Sequence, residues 1–132
     1  MGFLERLRRD ERPDGAVRSE TDVAAFSREV ARTGVVWTLK RRDAPAETPD
    51  DLEGRGVQPF WSSRERVQEL THAIPQWQGF EPQELALAEW EARWLPAMLA
   101  HGVQVGPNWS GPRAEGTEVA VETALRHLRA AS

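Results

Sequence analysis

The feature that most constrains the fold is the stretch VQPFWSSRER at residues 57–66, where a strand pattern passes directly into a helix start. Its first half alternates apolar and polar positions, as a half-buried strand does. Its second half is a capping box. The hydroxyl of Ser62 can accept a hydrogen bond from the backbone N–H of Glu65, and the Glu65 carboxylate can accept one from the N–H of Ser62. The sequence therefore predicts that one helix leaves one strand here in a fixed direction.

The same periodicities predict the other elements. Helical patterns follow Ser19, Ser62 and Thr117, each of which is expected to be the N-cap residue. Strand patterns cover residues 35–39, 57–61 and 103–105. Residues 44–56 are rich in Pro, Asp, Glu and Gly, and we expect a long mobile loop between two antiparallel strands.

The segment from residue 80 to residue 101 holds two less regular features. Residues 80–86 fit a helix by local propensity, because Pro82 suits a first helical position and good helix formers follow it. A firm helix begins at Leu87 and ends before Gly102. Pro96 lies inside this helix and lacks the N–H that would bond the carbonyl of Ala92, so a kink or a fresh start is expected near Leu95.

Composition limits the class of protein. With 132 residues the chain can bury one core, and its net charge of −4 disfavours nucleic acid as a partner. It has no cysteine, hence no disulfide framework and no thiolate metal site. It has no apolar run of about 20 residues and no signal-peptide pattern at its start. We expect a soluble cytoplasmic protein that binds neither nucleic acid nor membrane.

The first residues are expected to stand apart from the rest. Phe3, Leu4 and Leu7 have helical spacing, and a breaker follows at residues 10–15. We expect residues 1–15 to form a short helix and linker, and residues 16–132 to form a single domain.

No pattern of catalytic residues or metal ligands is present. None of the histidines, His72, His101 and His127, has the partners and spacing of a zinc or iron site. A serine at a strand-to-helix turn is a possible nucleophile, but Ser62 and Ser63 lack the flanking glycines of a nucleophile elbow, and capping already explains them. We therefore expect no cofactor and no metal, and a binding function is favoured over an enzymatic one.

Four motifs resemble a known family: GVVWTL at 34–39, PFWSS at 59–63, WLP at 94–96 and VGPNW at 105–109. Over about residues 19–130 the chain resembles a bacterial family known as domain of unknown function 2750. The resemblance implies a small α+β protein with a short strand before the WLP helix, which favours a strand over residues 80–86. Pro107 stands where the family pattern has a small aliphatic residue. The resemblance implies no activity, substrate or cofactor.

Tryptophan is unusually frequent. The chain has six tryptophans and no tyrosine. If the sheet forms as predicted, Trp37, Trp61 and Trp109 lie near one rim of it. Two interpretations stay open: the indoles seal the strand ends as a small core, or they line a recognition pocket with polar side chains around it. The site residues predicted for the second case are Trp37, Trp61, Ser63, Arg66, Asn108 and Trp109.

Taken together, these patterns predict a single α+β domain with a four-stranded, mainly antiparallel sheet, packed helices and a short extra N-terminal helix. The leading functional hypothesis is a non-enzymatic protein-binding module, for example the immunity or antitoxin-like partner of a bacterial effector. The alternative is a small-ligand-binding or regulatory domain with an aromatic pocket. An enzyme is the third hypothesis.

Overall fold

The structure, a computed structural model, describes the backbone of residues 13–111 and 115–132, and the side chains from Thr21 onwards within those ranges. These described residues form four helices and four strands in one α+β domain, which confirms the predicted class. The helices are α1 (Pro13–Thr33), α2 (Arg64–Ala73), α3 (residues 87–101) and α4 (Val121–Ala131). The strands are β1 (Val35–Arg41), β2 (Val57–Phe60), β3 (Phe80–Ala86) and β4 (Gln104–Pro107).

The strands form two small sheets, so the prediction of one four-stranded sheet was wrong. β1 pairs antiparallel with β3, from Val35 opposite Ala86 to Arg41 opposite Phe80. β2 pairs with β4 in parallel. A single antiparallel bridge joins the two sheets, in which Trp37 and Trp61 exchange N–H···O bonds of 2.9 and 2.8 Å. The expected antiparallel pairing of β1 with β2 is limited to this bridge.

Pro59 explains why the ladder between β1 and β2 stops there. Pro59 lies two residues before Trp61, so its backbone also faces β1, but it has no N–H to donate to that strand. Side chains bond in place of the ladder. The hydroxyl of Thr38 donates to the Pro59 carbonyl at 3.0 Å, and the Gln58 amide donates to that hydroxyl at 3.1 Å. Thr38 and Gln58 are both buried, and this polar contact satisfies them where the sheets diverge.

The 42–56 connection is packed on the domain, in contrast to the mobile loop that its composition suggested. A 3₁₀ turn at Pro49–Leu52 places Leu52 fully inside the core. The Gln83 side chain of β3 also holds the backbone of Glu47, accepting from its N–H at 2.8 Å and donating to its carbonyl at 2.9 Å. The loop is therefore anchored at two points.

Helix α3 confirms the predicted break near Leu95. It starts with an α-helical turn at Leu87–Glu89, widens to a π-helix at Trp90–Trp94 and returns to α-helix at Leu95–His101. The Leu95 N–H bonds the Trp90 carbonyl, five residues back. The π-turn accommodates Pro96, which cannot continue the regular ladder. Gly102 ends the helix in the left-handed region at φ 69°, as predicted.

Three predicted helix starts were wrong. The N-cap of α2 is Ser63 rather than Ser62, and its hydroxyl accepts from the N–H of Arg66 at 3.3 Å. Helix α4 starts at Val121 after Ala120, and Thr117 instead donates to the Asp22 carboxylate at 3.2 Å. Helix α1 already includes Pro13–Gly15 and Ser19.

The predicted helix over residues 1–9 lies outside the described residues, and the domain boundary at residue 15 stays a prediction.

Strand β3 confirms the strand that the family resemblance favoured over local helix propensity. The backbone bonds between Arg42 and Gly79 and between Leu87 and Gly34 show that every second residue from Gly79 to Leu87 bonds β1. Pro82 is not among these residues. The backbone of Pro82 therefore points away from β1, to the outer edge of the β1–β3 sheet. Because proline offers no donor there, it interrupts the row of edge N–H groups to which another chain could pair.

Two hydrophobic clusters fill the domain. The larger contains an aromatic centre in which Trp90 meets Phe26 and Phe60 edge-on at 5.7 and 5.1 Å between ring centroids. The smaller lies under α2 and consists of Trp61, Val67, Leu70 and Ile74. Trp37, Leu39, Trp77 and Trp109 pack against its boundary. This smaller cluster is where most of the predicted site residues meet.

Candidate functional site

Ser62 ties three elements together at the end of β2. It is 1% exposed. Its backbone N–H donates to Asn108 Oδ1 at 2.8 Å, and its hydroxyl accepts from Asn108 Nδ2 at 3.0 Å. The same hydroxyl also bonds the carboxylate of Glu29 on α1. These bonds, rather than a helix cap, explain the residue type at position 62.

Asn108 completes this junction from the other side. Its backbone N–H donates to the Phe60 carbonyl at 2.8 Å, which extends the pairing of β4 with β2 by one residue. Its φ of 50° is the one positive value for a non-glycine residue within the described parts of the chain. Asparagine tolerates this left-handed conformation better than most residues. The backbone turn and the side-chain bonds to Ser62 therefore both favour asparagine here.

Trp61 belongs to the core rather than to an open pocket. It is fully buried, and its indole N–H donates to the Trp109 carbonyl at 2.8 Å. The Trp77 ring packs edge-on against it, with 6.1 Å between centroids and an interplanar angle of 87°. Packing and hydrogen bonding are both satisfied, so Trp61 supports its neighbours and offers no surface to a ligand.

Trp109 is half-buried and closely held. Its indole N–H donates to the Thr117 carbonyl at 2.8 Å. Its ring lies against two glycines: a Cβ added at Gly106 would come within 2.6 Å of ring atoms, and one added at Gly116 within 2.4 Å. Both positions must lack a side chain for the ring to sit there. The indole is thus fixed in orientation, and part of its surface remains open to solvent.

Trp37 and Ser63 have other surroundings. Trp37 is half-buried on β1, and the guanidinium carbon of Arg64 lies 5.9 Å from the centroid of its ring. Ser63 is the N-cap of α2. The structure thus brings the three predicted indoles into one cluster, with Trp61 fully buried in it and Trp37 and Trp109 packed at its boundary.

A cleft of about 400 Å³ lies beside this cluster, between α2 and the segment that follows β4. Three of the six predicted site residues line it: Arg66, Asn108 and Trp109. Sequence reasoning missed the other five lining residues, which are Glu69, Leu70, Ala73, Ser110 and Gly111. The signal available for the helical wall was the spacing of residues 66, 69, 70 and 73, which places them on one face of α2.

The charged groups at the cleft are solvated. The Arg66 side chain is 52% exposed, and its Nε lies 3.5 Å from a carboxylate oxygen of Glu29. Arg32 also pairs with Glu29, at 3.3 Å. Glu69 is exposed on the next turn of α2. Exposed pairs of this kind add little stability, so the Arg66 side chain can reorient at small cost.

The comparisons with known proteins give a family without a function. A family model described as Protein of unknown function (DUF2750) matches residues 23–128. The chain belongs to this family. The match includes all four strands and every residue that lines the cleft, so the cleft is part of the DUF2750 domain itself. Neither the curated proteins nor the solved structures contain a match.

Among the described side chains, those of residues 21–111 and 115–132, no three His, Asp or Glu stand close enough together to hold a metal ion. The Ser62 hydroxyl is buried between Glu29 and Asn108, out of reach of a substrate. In the same residues, no helix has the length and apolar character needed to cross a membrane.

Proposed function

We propose that this chain is a non-enzymatic protein-binding module whose binding site is the cleft between α2 and the segment after β4. The observation that carries the proposal is the composition of the cleft. Trp109 and Arg66 line it together with the apolar side chains of Leu70 and Ala73. Tryptophan and arginine are the residues that most often dominate binding energy at protein interfaces, and an apolar floor accepts an anchoring side chain.

The rigidity of both walls supports the same function. Ser63 caps α2, and the Asn108 side chain fixes the opposite wall to Ser62. Trp109 is held between its two glycines. A site whose walls are already ordered loses little conformational entropy when a partner binds.

A small-ligand pocket among the tryptophans has less support. Trp61 is fully buried, and Trp37 does not line the cleft. The cleft itself has exposed residues along its rim, including Glu69 and Ser110, whereas small-ligand pockets enclose most of the ligand surface. An open cleft of this size suits one or two side chains presented by a protein.

The test is selection from a random displayed peptide library, with binding followed in protein labelled with 5-fluorotryptophan. Loss of one ¹⁹F resonance in Trp109→Phe assigns that of Trp109. We expect selected peptides to shift the Trp109 resonance and to leave that of the core residue Trp94 unchanged.

Two matched variants decide whether the cleft is the site. Ala73→Glu places a charge in the cleft, and His72→Glu places the same charge on the neighbouring exposed position outside it. Selected peptides should lose affinity at least about tenfold for Ala73→Glu and keep it for His72→Glu, since a bound peptide would cover the new carboxylate at position 73 without pairing it, which costs well over 1 kcal/mol. Equal binding to both variants, or no selected peptide, would contradict the proposal.

The immunity or antitoxin-like role is the finer form of this proposal. Its support is the mild acidity of the chain, with a net charge of −4, together with the aromatic wall of the cleft. An effector that copurifies in stoichiometric amount with the wild type and His72→Glu, but not with Ala73→Glu, is the expected result. Copurification that is equal for all three proteins would place the effector elsewhere on the surface.

A further inference from the structure

The cleft has a length and a direction that limit what can occupy it. Its α2 wall consists of Arg66, Glu69, Leu70 and Ala73, in that order along the helix. At 1.5 Å per residue, the distance from Arg66 to Ala73 along the axis is about 10 Å. About three residues of extended chain have the same length. The opposite wall, formed by the segment after β4, closes this space into a short groove.

The two ends of the groove differ in charge. Arg66 stands at one end, where its side chain is 52% exposed and its Nε lies 3.5 Å from a carboxylate oxygen of Glu29. The N-terminus of α2, with its positive partial charge, lies at the same end. Leu70 and Ala73 stand towards the other end. The groove is therefore complementary to a ligand that is acidic at one end and apolar at the other.

We propose that the occupant is an extended segment of a partner protein in which an acidic residue stands two positions from a large apolar residue. In an extended chain, side chains at positions i and i+2 point to the same side and lie about 7 Å apart. Arg66 and Leu70 are separated by about 6 Å along α2. The carboxylate thus reaches Arg66 while the apolar side chain packs on Leu70, Ala73 and Trp109. This inference rests on the proposed function and names the chemistry of its partner.

Glu69 restricts the segment to one acidic residue. It lines the groove one helical turn beyond Arg66 and is exposed. A second carboxylate beside it would meet a like charge, and such contacts reduce affinity and exclude wrong partners. Strongly acidic segments are therefore expected to bind less well than a segment with a single, correctly placed carboxylate.

Defined peptides test the inference. Three acetylated and amidated peptides, GGDSLGG, GGNSLGG and GGKSLGG, are titrated into the full chain and followed by the ¹⁹F resonance of Trp109. The expected order of affinity is Asp, then Asn, then Lys, with Asp about fivefold or more above Lys, because one exposed charge pair replaces one repulsion. Raising the salt from about 0.05 to 0.5 M should remove most of this preference.

Charge reversal makes the test specific for Arg66. Arg66→Glu should reverse the order of the Asp and Lys peptides, and Arg66→Gln should abolish the preference. Arg64→Glu, on the same turn but outside the groove, should leave the order unchanged. Circular dichroism verifies that each variant is folded, and Arg66→Gln carries the test if Arg66→Glu is not.

The outcomes separate this inference from the proposed function. If library-selected peptides bind the cleft while the Asp and Lys peptides bind equally, the charge inference is overturned and the protein-binding function stands. If the order persists in Arg66→Gln, the inference is likewise overturned. If neither selected nor defined peptides shift the Trp109 resonance, both are overturned.

Discussion

Asn108 is the residue on which the geometry of the cleft most directly depends. It accepts from the N–H of buried Ser62 and donates to its hydroxyl while its own backbone is left-handed. Asn108→Ala should lower the free energy of unfolding by about 3 kcal/mol, because it leaves a buried N–H unpaired and because alanine tolerates the left-handed conformation less well than asparagine. Urea denaturation measures the change.

Asn108→Gly separates these two contributions. Glycine also removes the side-chain bonds but adopts φ 50° freely, so we expect a loss smaller by about 1 kcal/mol than that of the alanine variant. Equal losses for the two variants would show that the backbone conformation costs nothing at this position.

Gly106 is required by the Trp109 ring. A Cβ at this position would lie 2.6 Å from ring atoms, so Gly106→Ala should destabilise the protein by about 2 kcal/mol through overpacking. Gly79→Ala is the control, since nothing lies within 4 Å of its Cβ position and its φ is not left-handed, and it should change stability by less than about 0.5 kcal/mol.

A double variant confirms the cause. In Gly106→Ala combined with Trp109→Phe, the smaller ring should relieve part of the clash, so that the combined loss of stability is less than the sum of the single losses. Strict additivity would mean that the ring and the Cβ do not compete for the same space.

Local sequence patterns do not decide which of the two adjacent serines is the N-cap of α2. Ser62 and Ser63 both have the chemistry of an N-cap, and the capping box with Glu65 favoured Ser62. The structure assigns the cap to Ser63 because the Ser62 hydroxyl is already engaged by Glu29 and Asn108. Those partners are 33 and 46 residues away in sequence, so no local pattern contains them.

At the scale of elements, the 3₁₀ turn at Pro49–Leu52 contributes to the core. Leu52 is fully buried. Leu52→Ala should therefore lower the free energy of unfolding by about 3 kcal/mol, as other buried leucine truncations do. Glu53→Ala, next to it and exposed, should change stability by less than about 0.5 kcal/mol. Urea denaturation measures both changes. If both variants lowered the free energy of unfolding by similarly small amounts, the connection would behave as the mobile loop that composition predicts.

The outer edge of β3 is protected by Pro82. Pro82→Thr introduces an N–H that points away from β1 and completes the edge for pairing with another chain. We expect concentration-dependent self-association in sedimentation velocity, with little change in stability. Glu84→Thr, on the same edge but with no new donor, is the control and should sediment as the wild type does. Equal association of both variants would implicate the side chains instead.

Strand β3 also shows how context overrides local preference. Its residues favour a helix from Pro82 onwards, and only the family resemblance favoured a strand. In the structure all seven residues pair with β1. The ladder and the burial of Gln83 and Leu85 outweigh a propensity difference of a few tenths of a kcal/mol per residue.

At the scale of the whole molecule, one backbone bridge connects the two sheets. Trp37 and Trp61 exchange hydrogen bonds beside a fully buried indole. In native-state hydrogen exchange, the amides of both residues should show opening free energies within about 1 kcal/mol of those in the β1–β3 ladder, because separating the sheets would expose the smaller core. Markedly faster exchange at Trp37 and Trp61 alone would show that the sheets open independently.

The cleft is likewise a property of the whole molecule. Its walls come from α2 and from the segment after β4, which the Ser62–Asn108 bonds bring together. Sequence reasoning placed Arg66, Asn108 and Trp109 in one site by assuming a common rim of one sheet. The structure brings them together through a parallel β2–β4 pair instead. It leaves Trp37, Trp61 and Ser63 outside the cleft.

The sequence by itself determined the α+β class, the order of the strands and the main helices, the break before Pro96 and the family. The helices, the break and the strands β1, β2 and β4 depend on periodicity and on the backbone chemistry of proline and glycine, which act over a few residues. Strand β3 and the family depended on the resemblance of four motifs to a known family. Only the tertiary structure decided which strands pair, which serine caps α2, which indole is buried and where the cleft lies. Each of these features depends on contacts between residues far apart in the chain. The arrangement that forms is the one that pairs the buried polar groups and buries the apolar surface at the same time.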